Sequence, residues 1–403
     1  MTPEEFAEET LTRREIVVCV GCGGVGKTTV AAALALEAAR RGRRVLVLTI
    51  DPARRLADAL GVDDLGNRPQ PLPREDLTAL GVPEHGSLSA VMLDMKHTFD
   101  DLVERFTDSA EARERVFQNP IYQHATETLA GSIEYSAMEK VFELYESGDF
   151  DLILVDTPPS AHALDFLEAP QRLIEFLDSR LVQMLIHPAF VAGRFGFRLF
   201  HRGTQRVLQA LERLSGIGFL EDISEFLLAF EGMAEGFRER AHRVRALLLG
   251  PNSAFVLVAA PGLESVRQST RFLDRLEAYG VRLAGILVNR IRLWPSSDLP
   301  ADGGQPSDLD LQTLAAALRA SEGASYPSRI AAKAAIDAAT GYAALVRSDA
   351  RSTRPLRART EGQGRFWGCI PEFEGDVHDL GGLARLADRI VGRDREPNGI
   401  DER

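Results

Sequence analysis

The stretch Gly21-Cys22-Gly23-Gly24-Val25-Gly26-Lys27-Thr28-Thr29 constrains the fold of this chain more than any other. It follows the apolar run Ile16-Val17-Val18-Cys19-Val20 and opens an alanine-rich segment. A buried strand, a glycine-rich turn and a helix start in that order form an anion cradle. Glycine lets the backbone take conformations closed to other residues, and the helix N-terminus turns its N–H groups toward negative charge. Lys27 then reaches the β and γ phosphates of a nucleotide, and the Thr28 hydroxyl is placed to ligate a magnesium ion bridging them. Gly21-x-Gly23-x-x-Gly26 also fits the dinucleotide fingerprint, with Asp51 available to a ribose hydroxyl. The Lys27-Thr28-Thr29 tripeptide favours the phosphate-loop NTPase, because a pyrophosphate turn does not require an ammonium and two hydroxyls. Bound nicotinamide or flavin would mark the alternative.

The next elements follow the same plan. A helix from about Lys27 to Arg41 leads to a second continuous apolar strand, Arg44 to Ile50, as parallel sheets require. Asp51-Pro52-Ala53-Arg54-Arg55 leaves that strand at its carboxyl end, where ligand crevices lie. Asp51 there either faces the γ-phosphate or caps the helix that Pro52 begins. A third strand is expected over Leu88 to Met95, after a Pro/Gly-rich excursion, and helices over 98–146, with Thr128 to Ser132 as a helix end or a hinge. Leu152-Ile153-Leu154-Val155 closed by Asp156 reads as a second metal-side element, stiffened by Pro158 and Pro159. His162 follows at a helix start, facing phosphate or serving no catalytic role.

Residues 165–250 read as an inserted helical subdomain. Ile223, Phe226, Phe230, Met233, Phe237, Ala241, Val244 and Leu248 recur at spacings of three and four, giving one long amphipathic helix. From Leu181 to Leu211 no acidic residue occurs, and Phe190, Phe195, Phe197 and Phe200 alternate with Arg194, Arg198 and Arg202. That stretch is either the subdomain's own core or a basic-edged groove for a hydrophobic client. The sheet resumes over Ser253 to Ala259. A crossover helix over Gly262 to Tyr279 and a strand over Arg282 to Val288 follow, with Asn289 at its tip, where an amide can read an adenine edge. Residues 294–308 are a loop by composition. Alanine-rich helices are expected to about Val346, an irregular basic segment over Arg351 to Gly364, a last strand over Arg365 to Ile370, and a final helix from about Leu380.

The fold class is therefore α/β, a doubly wound, mostly parallel sheet with an inserted α-helical subdomain. Its NTPase core comprises residues 1–164, 251–293 and 365–392, interrupted by 165–250 and by a loop and helical insertion at 294–364, with a tail at 393–403. A chain of 403 residues has room for such insertions. The net charge of −12 disfavours non-specific nucleic-acid binding. Three cysteines, Cys19, Cys22 and Cys369, make no disulfide framework, and Cys19-x-x-Cys22 reads as packing and loop residues. The acidic N-terminus without an apolar core argues against an export signal, and no apolar run reaches the ~20 residues of a membrane span, so a cytoplasmic protein is expected. No internal repeat is visible, so one nucleotide site per chain is expected.

With the phosphate loop, Asp51-Pro52-Ala53, Asp156-Thr157-Pro158-Pro159 and Asn289 assembled in order, the chain resembles the ArsA family of P-loop ATPases. That family includes arsenite-pump ATPases and ATPases that target tail-anchored membrane proteins. The likeness spans roughly residues 14–292 and 365–392. It implies ATP and magnesium, a homodimer or a heterodimer with a homologous ATPase, and a hydrophobic or membrane-protein client. By this likeness the backbone of Gly23, Gly24, Val25 and Gly26 with Lys27, Thr28 and Thr29 would hold the phosphates. Thr28 and Asp156 would serve the metal, Asp51 would position the attacking water, and Asn289 with the turn at Pro371 would hold adenine. Three departures matter. Cys22 stands where the family carries a lysine that reaches the partner's phosphates, so activity is expected to be weak, to depend on a different subunit, or to use Arg54 or Arg55. The helical insertion has no cysteine, which argues against arsenite pumping. The chain has one ATPase unit, whereas the pump proteins fuse two. An alternative is a nucleotide-binding regulatory or assembly subunit with little intrinsic hydrolysis.

Overall fold

The computed structural model describes residues 1–51, 54–62, 65–107, 109–119, 122–123, 132–158, 236, 238–294, 328–373 and 375–393, with isolated positions at 168, 171–172, 175, 179 and 316. Among them eight strands form one sheet: β1 (Ile16–Gly21), β2 (Arg44–Thr49), β3 (Gln70–Pro71), β4 (Ser87–Met92), β5 (Leu152–Asp156), β6 (Ser253–Ala259), β7 (Leu283–Ile291) and β8 (Phe366–Pro371). Their order is β3-β4-β2-β5-β1-β6-β7-β8, and every pairing is parallel except the edge pair β3–β4.

β1 lies between β5 and β6, with Cys19 opposite Asp156 and Gly21 opposite Val258. Its side chains alternate between two cores. Ile16, Val18 and Val20 join one apolar cluster, while Val17 and Cys19 join the other. Both faces of the strand are thus buried, which is why its sequence is an unbroken apolar run.

Helices cover both faces of the sheet. In chain order they are α1 (Pro3–Ala7), α2 (Lys27–Arg40), α3 (Arg55–Leu60), α4 (Arg74–Ala79), α5 (Met95–Phe106), α6 (Ala110–Gln118), α7 (Ser132–Ser147), α8 (238–249), α9 (Leu263–Ala278), α10 (Ser328–Ala358) and α11 (Leu380–Val391). α1, α2, α3 and α11 build the core on one face; α5, α7, α8 and α9 build the core on the other. α8 is tied to α7 by Arg240, whose Nε donates to Glu139 Oε1 and whose Nη1 donates to Glu146 Oε2 at 2.9 Å. The helix returning to β6 is thereby held against the helix that enters β5.

Several segments depart from expectation for identifiable reasons. The acidic N-terminus packs on the sheet through Phe6 and Leu11, both fully buried, with Phe6 stacked on Phe366 at 4.5 Å. Thr2 and Glu5 close a reciprocal capping box there. β4 ends at Met92 rather than Met95, because Asp94 accepts from the His97 N–H and starts α5. The irregular segment expected from Arg351 is helical as far as Ala358 and contains Pro355. Tertiary packing overrides the proline: Thr353 and Leu356 are buried, the Ser352 hydroxyl donates to the Pro261 carbonyl, and Arg359 pairs with Asp274 and Glu277 of α9. β7 continues past Asn289 to Ile291 through an irregular register against β8, with Arg290 at φ 58°.

Of the helix expected over Ile223 to Leu248, residues 238–248 are helical within α8. Its earlier part other than residue 236, the 181–211 stretch, His162, residues 128–131, the loop from 295 and Pro52-Ala53 lie outside the described residues.

Candidate active site

The crossover to β2 leaves the sheet on one side of β1, and β6 and β7 lie on the other. The loop after β1 therefore opens at the reversal of strand order, where ligands bind in open α/β sheets. Backbone constraints shape this loop. A Cβ on Gly21 would lie 2.1 Å from the Val258 carbonyl oxygen of β6. Gly26 sits at φ 89°, and a Cβ there would lie 2.3 Å from Asn289 Nδ2. Both positions need glycine, one for close approach and one for left-handed backbone as well.

Lys27, 7% exposed, donates from Nζ to the Cys22 carbonyl at 2.9 Å and lies along the inside of the loop. Burial lowers its pKa, opposed chiefly by Asp156. Cys22 turns the other way. Its sulfur lies 3.7 Å from Ser269 Oγ and 3.8 Å from the Ser265 carbonyl oxygen, both on α9, and the residue is 3% exposed. Cys19 is fully buried in β1, and all three cysteines are free thiols. The packing reading of Cys19 and Cys22 accounts for both.

Beneath the loop, the Thr28 hydroxyl donates to Asp156 Oδ2 at 2.6 Å, and Thr49 Oγ1 donates to the same oxygen at 3.0 Å. Asp156 is 1% exposed, and its other oxygen, Oδ1, is buried with no hydrogen-bond partner. Burial pushes its pKa up to about 6, against the lowering effects of Thr28, Thr49 and Lys27. An acceptor left without a partner at such depth is costly and signals a missing cation or donor. The residues fit a magnesium ion. Thr28 gives its single hydrogen to Asp156 and keeps lone pairs for a metal, and Asp156 has an oxygen to offer directly or through water. Among the described residues no cluster of three or more His, Cys, Asp or Glu is placed to hold a metal ion.

Asp51 leaves β2 with its N–H directed to Thr49 Oγ1 at 3.3 Å, and its carboxylate lies 3.7 Å from Arg55 Nη1. At the opposite wall Asn289 donates from Nδ2 to the Val25 carbonyl at 2.9 Å and accepts from the Arg290 N–H at 3.0 Å. Asn289 is thus a strut between β7 and the phosphate loop.

These groups line one cleft of about 630 Å³. Gly23, Gly24, Gly26, Lys27, Thr28, Thr29, Asp51 and Asn289 lie on its wall, as the sequence led us to expect. Val25 stands behind the wall, presenting only its carbonyl to Asn289. Asp156 lies below Thr28, while Pro371 ends β8 and does not line the cleft. The segment after Pro371 does, through Glu372, Phe373, Gly375, Asp376, Val377 and His378. Sequence reasoning missed that rim, together with Thr49, Asp58 and Arg290. Thr49 ends an apolar strand two residues before Asp51, and a polar residue there was the available signal.

Comparison with known proteins agrees with this geometry. The family model described as ArsA ATPase, anion-transporting ATPase, matches residues 14–299. The chain is 26% identical over 284 residues to "ATPase get3" of Schizosaccharomyces pombe, covering 70% of this chain and 74% of that one. It is 28% identical over 296 residues to "ATPase ASNA1 homolog" of Trypanosoma cruzi, covering 69% and 74%. It is 24% identical over 278 residues to "Putative arsenical pump-driving ATPase 2" of Aquifex aeolicus, covering 67% and 78%. The family match runs from just before β1 to just beyond β7 and so takes in the loop, Asp51, Asp156 and Asn289. By fold, by cleft and by this match, the chain belongs to the ArsA family of ATPases.

Proposed function

We propose that this chain is a magnesium-dependent ATP hydrolase that acts as a dimer and couples its nucleotide state to capture and release of a hydrophobic or membrane-protein client in the cytoplasm. The bare, buried Oδ1 of Asp156 beside the Thr28 hydroxyl carries the reading, because it is an acceptor that a magnesium ion or its coordinated water would satisfy. The loop N–H groups and Lys27 hold the β and γ phosphates; Thr28 and Asp156 hold the metal. A magnesium ion held by Thr28 and Asp156 would supply positive charge that offsets the charge on the phosphates. In hydrolysis a water oxygen bonds to the γ phosphorus and the bond to the β–γ bridging oxygen breaks, its electron pair leaving with ADP. Asp51 accepts a hydrogen bond from that water and aims it, and the proton ends on the released phosphate.

Asp51, Thr49 and Asp156 are linked in one hydrogen-bonded chain, so loss of the γ-phosphate reaches both strand ends at once. Segments after β2 and β5 would carry that change outward. No described helix is long and apolar enough to cross a membrane, which suits a protein that visits a client rather than spanning a bilayer. A second reading is a nucleotide-held regulatory or assembly subunit paired with a homologue. The specific observation behind it is Cys22, which faces α9 and brings no cation to the cleft.

ATP turnover per chain, measured with magnesium over a range of protein concentrations, tests this. Turnover that rises with concentration and falls by about a hundredfold or more in Asp51→Asn is expected for a dimeric hydrolase. ATP binding without turnover would select the regulatory subunit instead.

A further inference from the structure

The phosphate end of the cleft is short of cations for the chemistry proposed. Lys27 is the loop's only contribution, fixed to the Cys22 carbonyl, while Cys22 itself is turned into the core against Ser269. Charge that develops on the three equatorial oxygens and the bridging oxygen during phosphoryl transfer needs more than one fixed cation. Two further guanidinium groups line the cleft, Arg55 and Arg290. Arg290 lies on β7 next to Asn289, and its guanidinium is 3.9 Å from Asp376 on the outer rim. Arg55 opens α3, four residues after Asp51 in sequence. Its Nη1 is 3.7 Å from Asp51 Oδ2. Arg54, its neighbour, does not line the cleft.

Resting on the hydrolase reading above, we propose that Arg55 is a catalytic arginine supplied from within the same chain, resting on Asp51 until nucleotide binds and then stabilising the transferring phosphoryl group.

The geometry suits that exchange. Arg55 has 67% of its side chain exposed, so no packing holds it in the resting pose. An exposed ion pair at this distance is weak, about 0–1 kcal/mol, and is readily exchanged for phosphate oxygens, which a guanidinium binds with two parallel donors. Transfer of the guanidinium to phosphate removes one partner from the Asp51 carboxylate as phosphate arrives, so one movement changes the surroundings of both the water-positioning group and the charge-stabilising group. Bond changes are those of hydrolysis already given, and Arg55 keeps its protons throughout.

The test compares wild type with Arg55→Ala, Arg55→Gln and Arg55→Lys. Three quantities are read: steady-state turnover with Mg-ATP, affinity for ATP, and the gain in ADP affinity when aluminium fluoride is added to mimic the transferring phosphoryl. Arg55→Ala and Arg55→Gln are expected to lose turnover by about 10²–10³ fold while ATP affinity changes by less than about threefold. The aluminium fluoride gain should disappear in both. Arg55→Lys should recover part of the turnover, since a point charge replaces a two-pronged donor. A purely structural role would shift ATP affinity and turnover together and leave the aluminium fluoride gain intact. Turnover within about threefold of wild type in both neutral variants overturns the assignment and leaves the hydrolase reading standing. Absence of turnover in wild type, by contrast, overturns the hydrolase reading and this inference with it.

Discussion

At one end of the cleft, the phosphate loop hangs between β1 and α2, both largely buried, and its polar groups have close neighbours apart from Asp156 Oδ1. Thr28, Thr49 and Asp156 converge on one oxygen, Lys27 lies along the loop, and Gly26 presses against Asn289. At the other end, the described rim residues Glu372, Phe373 and Gly375 to His378 follow β8 outside helix and strand; Glu372 donates its N–H to the Ile291 carbonyl at 3.1 Å and lies 3.5 Å from Arg292 Nε, while Asp376 lies 3.9 Å from Arg290 at exposed side chains. The first end holds chemistry that tolerates little movement. The second brings Phe373, Val377 and His378 to the cleft wall.

Substitution at the phosphate end should separate the charge from its support. Lys27→Ala removes the loop's buried cation and should weaken ATP binding by about a hundredfold or more, since a charge-assisted contact to phosphate is lost. Asn289→Ala removes a neutral strut behind the loop, so isothermal titration should show a loss of roughly tenfold, about 1.4 kcal/mol. Equal losses would mean that the strut matters to ATP as much as the cation does.

A smaller effect lies at the opposite end of the strands, where Arg44 and Asp151 join the starts of the interior neighbours β2 and β5. Arg44 Nη2 is 2.7 Å from Asp151 Oδ1, and the Arg44 N–H donates to Oδ2 at 2.8 Å. The side-chain hydrogen bond from Arg44 holds the carboxyl below its ordinary value of 3.8, partly offset by burial. The folded form therefore releases its proton more readily than the unfolded one. Its contribution is complete above about pH 4 and fades as pH falls through the folded pKa. Because the pair is more than a third exposed, Asp151→Asn should cost less than about 1 kcal/mol at pH 7. In urea unfolding the gap to wild type should narrow at pH 3; a gap that stays constant would assign the loss to geometry rather than charge.

The same contrast governs what could be read from sequence. The sheet and the phosphate end were legible because buried parallel strands force apolar runs, and because a cradle for phosphate needs glycines and Lys-Thr in contiguous order. The rim was not legible. Its residues come from 290 and from 372–378, far apart in sequence, and each is an ordinary loop residue until β7 and β8 bring them together. The last turns of α10, from Arg351, hid for a different reason: Pro355 and five arginines between 347 and 359 look like a break, whereas buried Thr353 and Leu356 and the clasp of Arg359 on α9 hold the helix. Cys22 was readable as a substitution, but only its burial against Ser269 shows that the thiol is a packing group. Arg54 and Arg55 stood level in the sequence, and the cleft wall separates them.

The central claim is that Asp156 with Thr28 waits for a metal-bound nucleotide. It is tested most directly by measuring ATP affinity with and without magnesium in wild type and in Asp156→Asn. The account predicts that magnesium tightens ATP binding at least about tenfold in wild type, and that this gain collapses in the variant while metal-free affinity is kept or improved as a buried charge is removed. A magnesium gain that survives intact in Asp156→Asn would contradict it.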